Sequence, residues 1–253
     1  MRGDSGFPVR IRFAKRGKVR FISHRDVARA FERAFRIEEL PLAFTEGFSP
    51  RPKVSFGLAL SVGHESDAEY LDVELTEPVD TESLPERLTS ALPEGMPATG
   101  AVRLIERAPA LQESITEVQF RVATVDGRGQ AVPTDVLVAA ATGALASDEL
   151  AVTRTRKGKE SVDDLRPALR AIEVGHDGDA PVLDLTLSTQ PRGARPREVL
   201  DALDRFTGTG GGVGVGLTEH HVLRTAQWIE RGGARLEPLA ADAFALAVEA
   251  SAS

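Results

Sequence analysis

The sequence contains no cysteine. This absence excludes disulfide bonds, thiolate zinc sites, cysteine-ligated iron–sulfur clusters and cysteine nucleophiles together. The five histidines remain as possible metal ligands, but they show neither the HExxH spacing nor a matched set of carboxylates. We therefore expect neither a metal site nor a cofactor in this chain.

Long apolar runs are also absent. No run approaches the roughly 18–20 residues that a membrane helix needs, and the start, MRGDSGFPVR, lacks the apolar stretch of a secretory signal. The hydrophobic fraction of 42% and the charged fraction of 27% are those of a soluble globular protein. We expect a cytoplasmic protein that does not contact a membrane.

Positive charge is in the minority overall but concentrated near the start. The chain carries a net charge of −7. Residues 9–53 hold 12 basic and 5 acidic side chains, a net +7; residues 1–8 are neutral, so residues 54–253 carry −14. Such segregation allows one end of a protein to attract a polyanion while the bulk stays acidic and soluble.

The first half of the chain predicts the element order β-α-β-β-α-β. Alternation of apolar and basic residues over 8–23 predicts a strand or hairpin with one wet, basic face that includes Arg10, Arg12 and Arg20. Apolar residues at helical spacing predict a helix over 24–37. The further predictions are strands near 42–45, at 54–60 and at 69–75, a helix at 81–92 and a strand at 99–105. This order is typical of a ferredoxin-like unit.

After a predicted hinge at residues 108–110, a similar pattern begins again. It predicts strands at 117–124, 150–155, near 168–174, at 182–188 and at 221–228, with helices at 134–145 and 197–206. One of these strands is a possible addition to the ferredoxin-like set. We therefore predict an α+β protein of two tandem ferredoxin-like halves, at residues 1–107 and 111–231, with a tail at 232–253.

The segment FISHRD starts the first predicted helix. Ser23 and Asp26 have the spacing of a capping box. The HRD triplet also occurs in protein kinases, but the glycine-rich loop and DFG triplet of a kinase are missing. His24 falls at the first helical position, beside free amides that favour a phosphate. It is the only catalytic candidate, as phosphate donor or general base, and the alternative is a polar surface histidine.

Basic residues on the same helix form a stripe at helical spacing: Arg25, Arg29, Arg33 and Arg36. A solvated helix face is the ordinary interpretation of such a stripe. Its position beside the predicted basic hairpin, which supplies Arg20, favours a contact with phosphates, because several cations on one surface give a salt-sensitive affinity.

The loop EGFSPRPK provides a second group of candidates, Ser49, Arg51 and Lys53. The flanking prolines stiffen the backbone, so that Arg51 loses less entropy when it binds an anion. The alternative is a proline-rich turn between strands. Phe48 and Phe56 are able to stack on bases, although core packing is the better expectation for both.

Carboxylates follow this loop in EYLDVEL. Glu69 and Asp72 are an odd number of residues apart and face opposite sides of a strand, so they form no general acid/base pair. Asp72 and Glu74 share a face, where we expect either solvent or salt bridges to the arginine stripe.

Two segments of the second half are rich in charge or glycine. The charged segment 155–167 contains Lys157 and Lys159, which are candidates for a second polyanion contact or for a hairpin tip. The run at 207–216, TGTGGGVGVG, lacks the spacing of a dinucleotide fingerprint and precedes a strand, so it is interpreted as a mobile linker.

The segments FISHRD, GFSPRPK, SFGLALSVG and EYLDVEL, in this order, resemble the bacterial radical S-adenosylmethionine (SAM)-associated protein family, a domain of unknown function found alone or behind a radical SAM enzyme. The segments DLRP, RPREVL and LRT further along also fit. Arg25 and Arg51 depart from the family pattern, which has a leucine and commonly a histidine there. The resemblance implies a separate radical SAM enzyme as partner, and genomic company with ribosomal and RNA-processing proteins.

Three functions follow from these patterns. The leading hypothesis is a noncatalytic accessory protein that binds RNA or ribonucleoprotein for a radical SAM enzyme. The second is a metal-independent RNA endonuclease, by analogy with tandem ferredoxin-like enzymes in which a histidine acts as general base on a ribose hydroxyl. The third is a pure protein-interaction module whose basic face docks an acidic partner.

Overall fold

The computed structural model describes residues 6–105, 108–156, 158–208, 214–241 and 243. It is a mixed α+β protein with a large, mostly antiparallel sheet and several helices. Contacts divide the chain into two compact units: the described residues up to Ile115 together with those from Gln227 onward, and residues 116–226. None of the helices in these ranges is long and apolar enough to cross a membrane.

The described strands are, in chain order, β1 (Phe7–Lys15), β2 (Val54–Phe56), β3 (Glu65–Leu75), β4 (Ala98–Arg103), β5 (Glu117–Val125), β6 (Ala151–Arg156), β7 (Lys159–Asp164), β8 (Leu169–Asp177), β9 (Ala180–Ser188), β10 (Thr218–Arg231) and β11 (Ala234–Leu236). The α-helices are α1 (His24–Ile37), α2 (Leu84–Ala91), α3 (Leu111–Ser114), α4 (Thr134–Ala146), α5 (Pro196–Leu203) and α6 (Pro238–Ala241). Two 3₁₀ helices lie at Gly17–Phe21 and Asp204–Phe206.

The division into units differs from the predicted boundaries at 107–111 and 231. β10 begins in the second unit and ends in the first, and the following residues stay with the first unit. The sequence pattern shows the end of a strand but not which unit its continuation packs against. The described part of the predicted tail, through β11 and α6, is therefore a component of the first unit.

In the first unit, the order of paired strands is β4-β1-β3-β2, all antiparallel. Alternate residues of β1 and β3 face α1 and α2, and the core beneath these helices includes Ile11, Phe31, Phe35, Leu71 and Leu88, all fully buried. Burying a side chain of this size contributes roughly 1.5–3 kcal/mol each. This core fixes the orientation of α1 on the sheet.

The helix α1 has the predicted bounds. Its capping box is confirmed: the Ser23 hydroxyl accepts a hydrogen bond from the Asp26 amide at 3.3 Å, and the Asp26 carboxylate accepts one from the Ser23 amide at 3.1 Å. The helix ends at Ile37, shortly before Glu39, whose φ of 49° is left-handed and breaks the helical path. Four apolar residues of α1 are buried: Val27, Phe31, Ala34 and Phe35.

Of the strand or hairpin predicted over 8–23, the strand is confirmed as β1, and the second arm of a hairpin is wrong. After β1 the chain enters a 3₁₀ helix, because carboxylates of β3 hold it there. Glu65 accepts a hydrogen bond from the Gly17 amide at 2.8 Å and pairs with Arg16 at 3.4 Å, and Asp67 binds the same guanidinium. These partners lie about fifty residues further along, where local alternation gives no sign of them.

The wet, basic face predicted for β1 is also wrong at Arg10, whose side chain is fully buried. Its guanidinium donates two hydrogen bonds to Asp72, at 2.7 and 2.9 Å, and a third to the carbonyl of Pro238 at 3.0 Å. The C-terminal segment with α6 covers this face of the sheet. On the same face, Tyr70 donates a hydrogen bond to Glu237 at 2.5 Å. Burial is the main cause that raises the pKa of Tyr70, and the hydrogen bond to Glu237 is the second.

The second unit has the strand order β10-β5-β9-β8, with β5 and β8 antiparallel to β9. Its core is rich in leucine, including Leu137, Leu183, Leu185, Leu187 and Leu200. The possible additional strand belongs to a separate two-stranded sheet, formed by β6 and β7. Of the other predicted strands, the one at 54–60 ends at Phe56, and 42–45 contributes only isolated bridges.

Candidate anion-binding surface

Four arginines lie on the outer side of α1. Arg25, Arg29, Arg33 and Arg36 are all exposed, and we call this set the arginine face. Arg29 is 3.5 Å from the Asp26 carboxylate, whereas Arg25, Arg33 and Arg36 form no ion pair with any residue that the structure describes. These three arginines therefore have no carboxylate at ion-pair distance within those ranges, although the charge of Arg25 contributes to lowering the pKa of Asp26.

The remaining cations of the basic segment are mostly neutralised. Arg10 pairs with Asp72, and Arg16 pairs with Asp67 and Glu65. The predicted basic surface is consequently narrower than the sequence indicates. It is reduced mainly to the arginine face and the loop that carries Arg51.

Arg20, a predicted site residue, lies just before this helix. Its guanidinium is 3.4 Å from Glu65 and 4.7 Å from the ring centroid of Phe21, a cation–π distance. Phe21 itself is largely exposed, at 61%. The sequence alternation does not reveal this exposure, because it assigns Phe21 to the inner side of a hairpin.

Residues 45–51 form a closed loop, which we call the tip loop. The Thr45 amide donates to the Arg51 carbonyl at 2.9 Å, and the Arg51 amide donates to the Thr45 hydroxyl at 3.1 Å. Arg51 and Ser49 are exposed, and the Arg51 side chain has no ion pair among the described residues. Phe48 is fully exposed, so the expectation of core packing is wrong for it.

Phe56, by contrast, packs in the first unit, as expected. Its ring lies 6.2 Å from that of Phe31 and 5.0 Å from that of His24, in both cases edge to face. The exposed His24 is thereby held at the start of α1. The geometry brings His24 and the arginine face together on one helix.

A small cavity of about 20 Å³ lies beside His24 and is lined by Lys15, Glu69 and Phe56 among others. This volume is enough for about one water molecule. Lys15 is buried, and its ammonium donates hydrogen bonds to the carbonyls of Arg20 and Ile22, at 3.2 and 3.1 Å. Burial lowers the pKa of Lys15, and the charge of Glu69 opposes this shift. Lys15 therefore ties the 3₁₀ segment to the sheet.

Lys15 was not among the predicted site residues, because in the sequence it is one of twelve basic residues in segment 9–53. A register shift between Phe13 and Lys15 places it inside instead. No local sequence signal marks that shift.

The remaining predicted site residues are Lys53, Lys157 and Lys159. One expectation was a salt bridge from Asp72 or Glu74 to the arginine stripe. Glu74 instead pairs with Lys53 at 3.2 Å. Lys159 is exposed at the start of β7 in the second unit. Lys157 and residues 209–213 of the glycine-rich run lie outside the described residues.

The end of the glycine-rich run is held by hydrogen bonds. The Asp204 carboxylate accepts from the amides of Gly216 and Leu217, at 2.9 and 2.8 Å. The described part of the chain contains no group of three or more histidine or acidic residues that could hold a metal ion.

Comparison with known proteins identifies the family. A protein-family model described as "Uncharacterized protein conserved in bacteria (DUF2344)" matches residues 9–205, well over half of the chain. The chain belongs to this family. No curated protein matches it.

Solved structures provide only a distant likeness. A chain of the "Crystal Structure of a Cbf5-Nop10-Gar1 Complex" matches at 12% identity and a TM-score of 0.46, covering 88% of this chain and 50% of that one. A chain of the "Crystal structure of the archaeal box H/ACA sRNP Nop10-Cbf5 complex" matches at 10% identity and a TM-score of 0.43, covering 87% and 48%. This chain spans about half the length of those chains, and at these scores the likeness carries no argument about function.

Proposed function

We propose that this chain is a noncatalytic accessory protein that binds RNA or ribonucleoprotein through the arginine face and serves a separate radical SAM enzyme. The observation that carries the RNA half is the arginine face itself. Three of its four guanidiniums have no ion pair among the described residues, although the chain as a whole is acidic.

The spacing of the arginine face suits a polyanion better than a single small anion. From Arg25 to Arg36 the helix rises by roughly 16 Å, at about 1.5 Å per residue. Guanidiniums distributed over this length are able to contact several phosphates, and each contact releases counterions. An exposed arginine also binds phosphate through two parallel hydrogen bonds.

The radical SAM half of the proposal rests on the motifs FISHRD, GFSPRPK and EYLDVEL and on the lack of cysteine. Without cysteine this chain is unable to ligate the cluster of such an enzyme, so the catalytic chain would be a separate protein or domain.

We also propose that both units are ferredoxin-like. The first has the element order β1-α1-β2-β3-α2-β4 and the spatial order β4-β1-β3-β2. When the β6–β7 hairpin is set aside, the second has β5-α4-β8-β9-α5-β10 and the spatial order β10-β5-β9-β8. The same arrangement in both units supports an architectural duplication.

Affinity purification from the native host, with and without nuclease, tests the proposal. We expect the wild-type chain to retain RNA, and Arg25→Glu/Arg33→Glu to lose it. The matched control is Arg128→Glu/Arg170→Glu, which changes the charge equally at two exposed arginines of the second unit. Retention of RNA by the arginine-face variant would contradict the RNA half.

The same purification tests the partner. We expect a radical SAM enzyme among the proteins retained by the wild-type chain. Retention of an unrelated protein set that survives nuclease and depends on the arginine face would instead support a protein-interaction module.

A second candidate function is metal-independent RNA cleavage, favoured by the exposure of His24 at the helix start beside the cavity. Cleavage that persists in chelator and is lost in His24→Ala would support it. Intact RNA after incubation with the wild-type chain would exclude it for the RNA tested.

A further inference from the structure

The tip loop presents an aromatic ring on a fixed base. Its two ends are joined by the Phe44–Pro52 bridge and by the hydrogen bonds between Thr45 and Arg51. Below the loop, the Ala43 amide donates to the Glu74 carbonyl at 2.9 Å and so attaches it to β3. The loop is therefore anchored to the central sheet of the first unit.

Phe48 lies in the tip loop between Gly47 and Pro50. Gly47 has a φ of 124°, a conformation that other residues rarely adopt. Pro50 restricts the backbone on the other side of the turn. Phe48, which lies between these two residues, is fully exposed, although it is a residue type that is usually buried.

The tip loop carries one exposed residue of each charge, Glu46 and Arg51. Arg51 is exposed and has no ion pair among the described residues, and Glu46 is the only acidic residue of the loop. An exposed aromatic ring and an exposed guanidinium in the same short loop match a nucleotide, since the base stacks on the ring and the phosphate binds the cation.

We propose that the tip loop is a stacking site for an unpaired base, so that the ligand of the arginine face is single-stranded RNA. This inference rests on the proposed function and specifies its substrate class. Bases in a duplex are already stacked on one another and are not available to Phe48, whereas bases of a single strand or loop are free to splay out. The positive charge on the arginine face favours RNA over an apolar protein partner.

The exposed Phe21 offers a second aromatic ring just before α1. Arg20 already lies over this ring at 4.7 Å, so one of its faces is occupied. Phe48 has no such neighbour among the described ring contacts and is therefore the better position for a test.

The experiment measures affinity by fluorescence anisotropy for a labelled single-stranded oligouridylate and for an RNA duplex of equal length. We expect Phe48→Ala to weaken single-strand binding by about 5-fold to 150-fold, the range that stacking of one base implies, with little change for the duplex. Phe48→Tyr should retain binding, because its ring still stacks, and Phe48→Leu should lose it. Val62→Ala, at another exposed apolar residue of the first unit, is the matched control.

Equal loss on single strand and duplex, or full binding by Phe48→Leu, would overturn the stacking site. Binding that falls in Arg25→Glu/Arg33→Glu but is unchanged in Phe48→Ala would overturn this inference alone. Absence of RNA binding by the wild-type chain would overturn the proposed function as well. Circular dichroism of each variant verifies that a loss of binding is not a loss of fold.

Discussion

Arg10 shows how the surroundings of a single residue decide its role. The side chain belongs to a strongly basic segment, but it is fully buried and bound to Asp72. A buried guanidinium must be paired, because taking a charge out of water costs several kcal/mol unless hydrogen bonds replace its hydration. Arg10 therefore contributes to the fold of the first unit and is not available to a phosphate.

Removal of the partner of Arg10 tests this assignment. We expect Asp72→Ala to lower the free energy of unfolding by about 3 kcal/mol, since it removes the carboxylate that accepts two hydrogen bonds from the buried guanidinium. Urea denaturation measures the change.

The control is Asp184→Ala, which breaks the Arg121–Asp184 pair of the second unit. Its two hydrogen bonds, of 2.8 and 3.0 Å, have a similar geometry, but the pair is on the surface. Surface pairs contribute about 1 kcal/mol or less. If both substitutions cost the same small amount, Arg10 is not held as the structure indicates.

At the scale of the element, α1 combines a buried apolar side with the arginine face. Its capping box fixes where the helix starts. The start of the helix in turn decides in which direction the arginine side chains point. The pKa of Asp26 is lowered mainly by its hydrogen bond with the Ser23 side chain, and next by its hydrogen bond with the Ser23 backbone.

The cap should contribute to stability in a pH-dependent way. We expect Ser23→Ala to cost about 1 kcal/mol at neutral pH. Because the pKa of Asp26 is lowered in the folded state, its contribution is complete above the ordinary value of 3.8 and is lost as the pH falls through the folded value. The melting temperatures of the wild type and Asp26→Asn, measured by thermal denaturation, should therefore become equal at acidic pH. A constant difference between them down to the lowest pH would rule out this role of the carboxylate.

The elements also show what the sequence is able to predict. The bounds and the cap of α1 follow from helical periodicity and from residues three apart, which are local signals. The conformation of the segment before α1 depends on contacts with Glu65 and Asp67. The burial of Arg10 depends on Pro238, which is 228 residues away in the sequence. Single-sequence patterns contain no information about such distant partners.

The same distinction applies to the candidate site. The stripe of Arg25, Arg29 and Arg33 was predictable because helix geometry fixes its face. The exposure of Phe48 was not, because a hydrophobic residue in a loop is equally compatible with core packing. Whether these residues bind RNA stays a prediction.

On the scale of the whole molecule, the separation of charge is the main functional feature. A net charge of −7 keeps the chain from binding polyanions generally, while the arginine face offers an attractive region of limited extent. Neutralisation of Arg16 and Arg20 by carboxylates narrows this region further. We therefore expect moderate affinity that depends on only a few phosphate contacts.

The most direct test of this account is the salt dependence of RNA binding. The logarithm of the association constant should fall linearly with the logarithm of salt concentration, and Arg25→Ala/Arg33→Ala should reduce the slope by about 1.4, or about 0.7 for each lost contact with a single strand. Arg128→Ala/Arg170→Ala should leave the slope unchanged. Binding that is independent of salt, or an equal slope for the wild type and the arginine-face variant, would contradict the central claim.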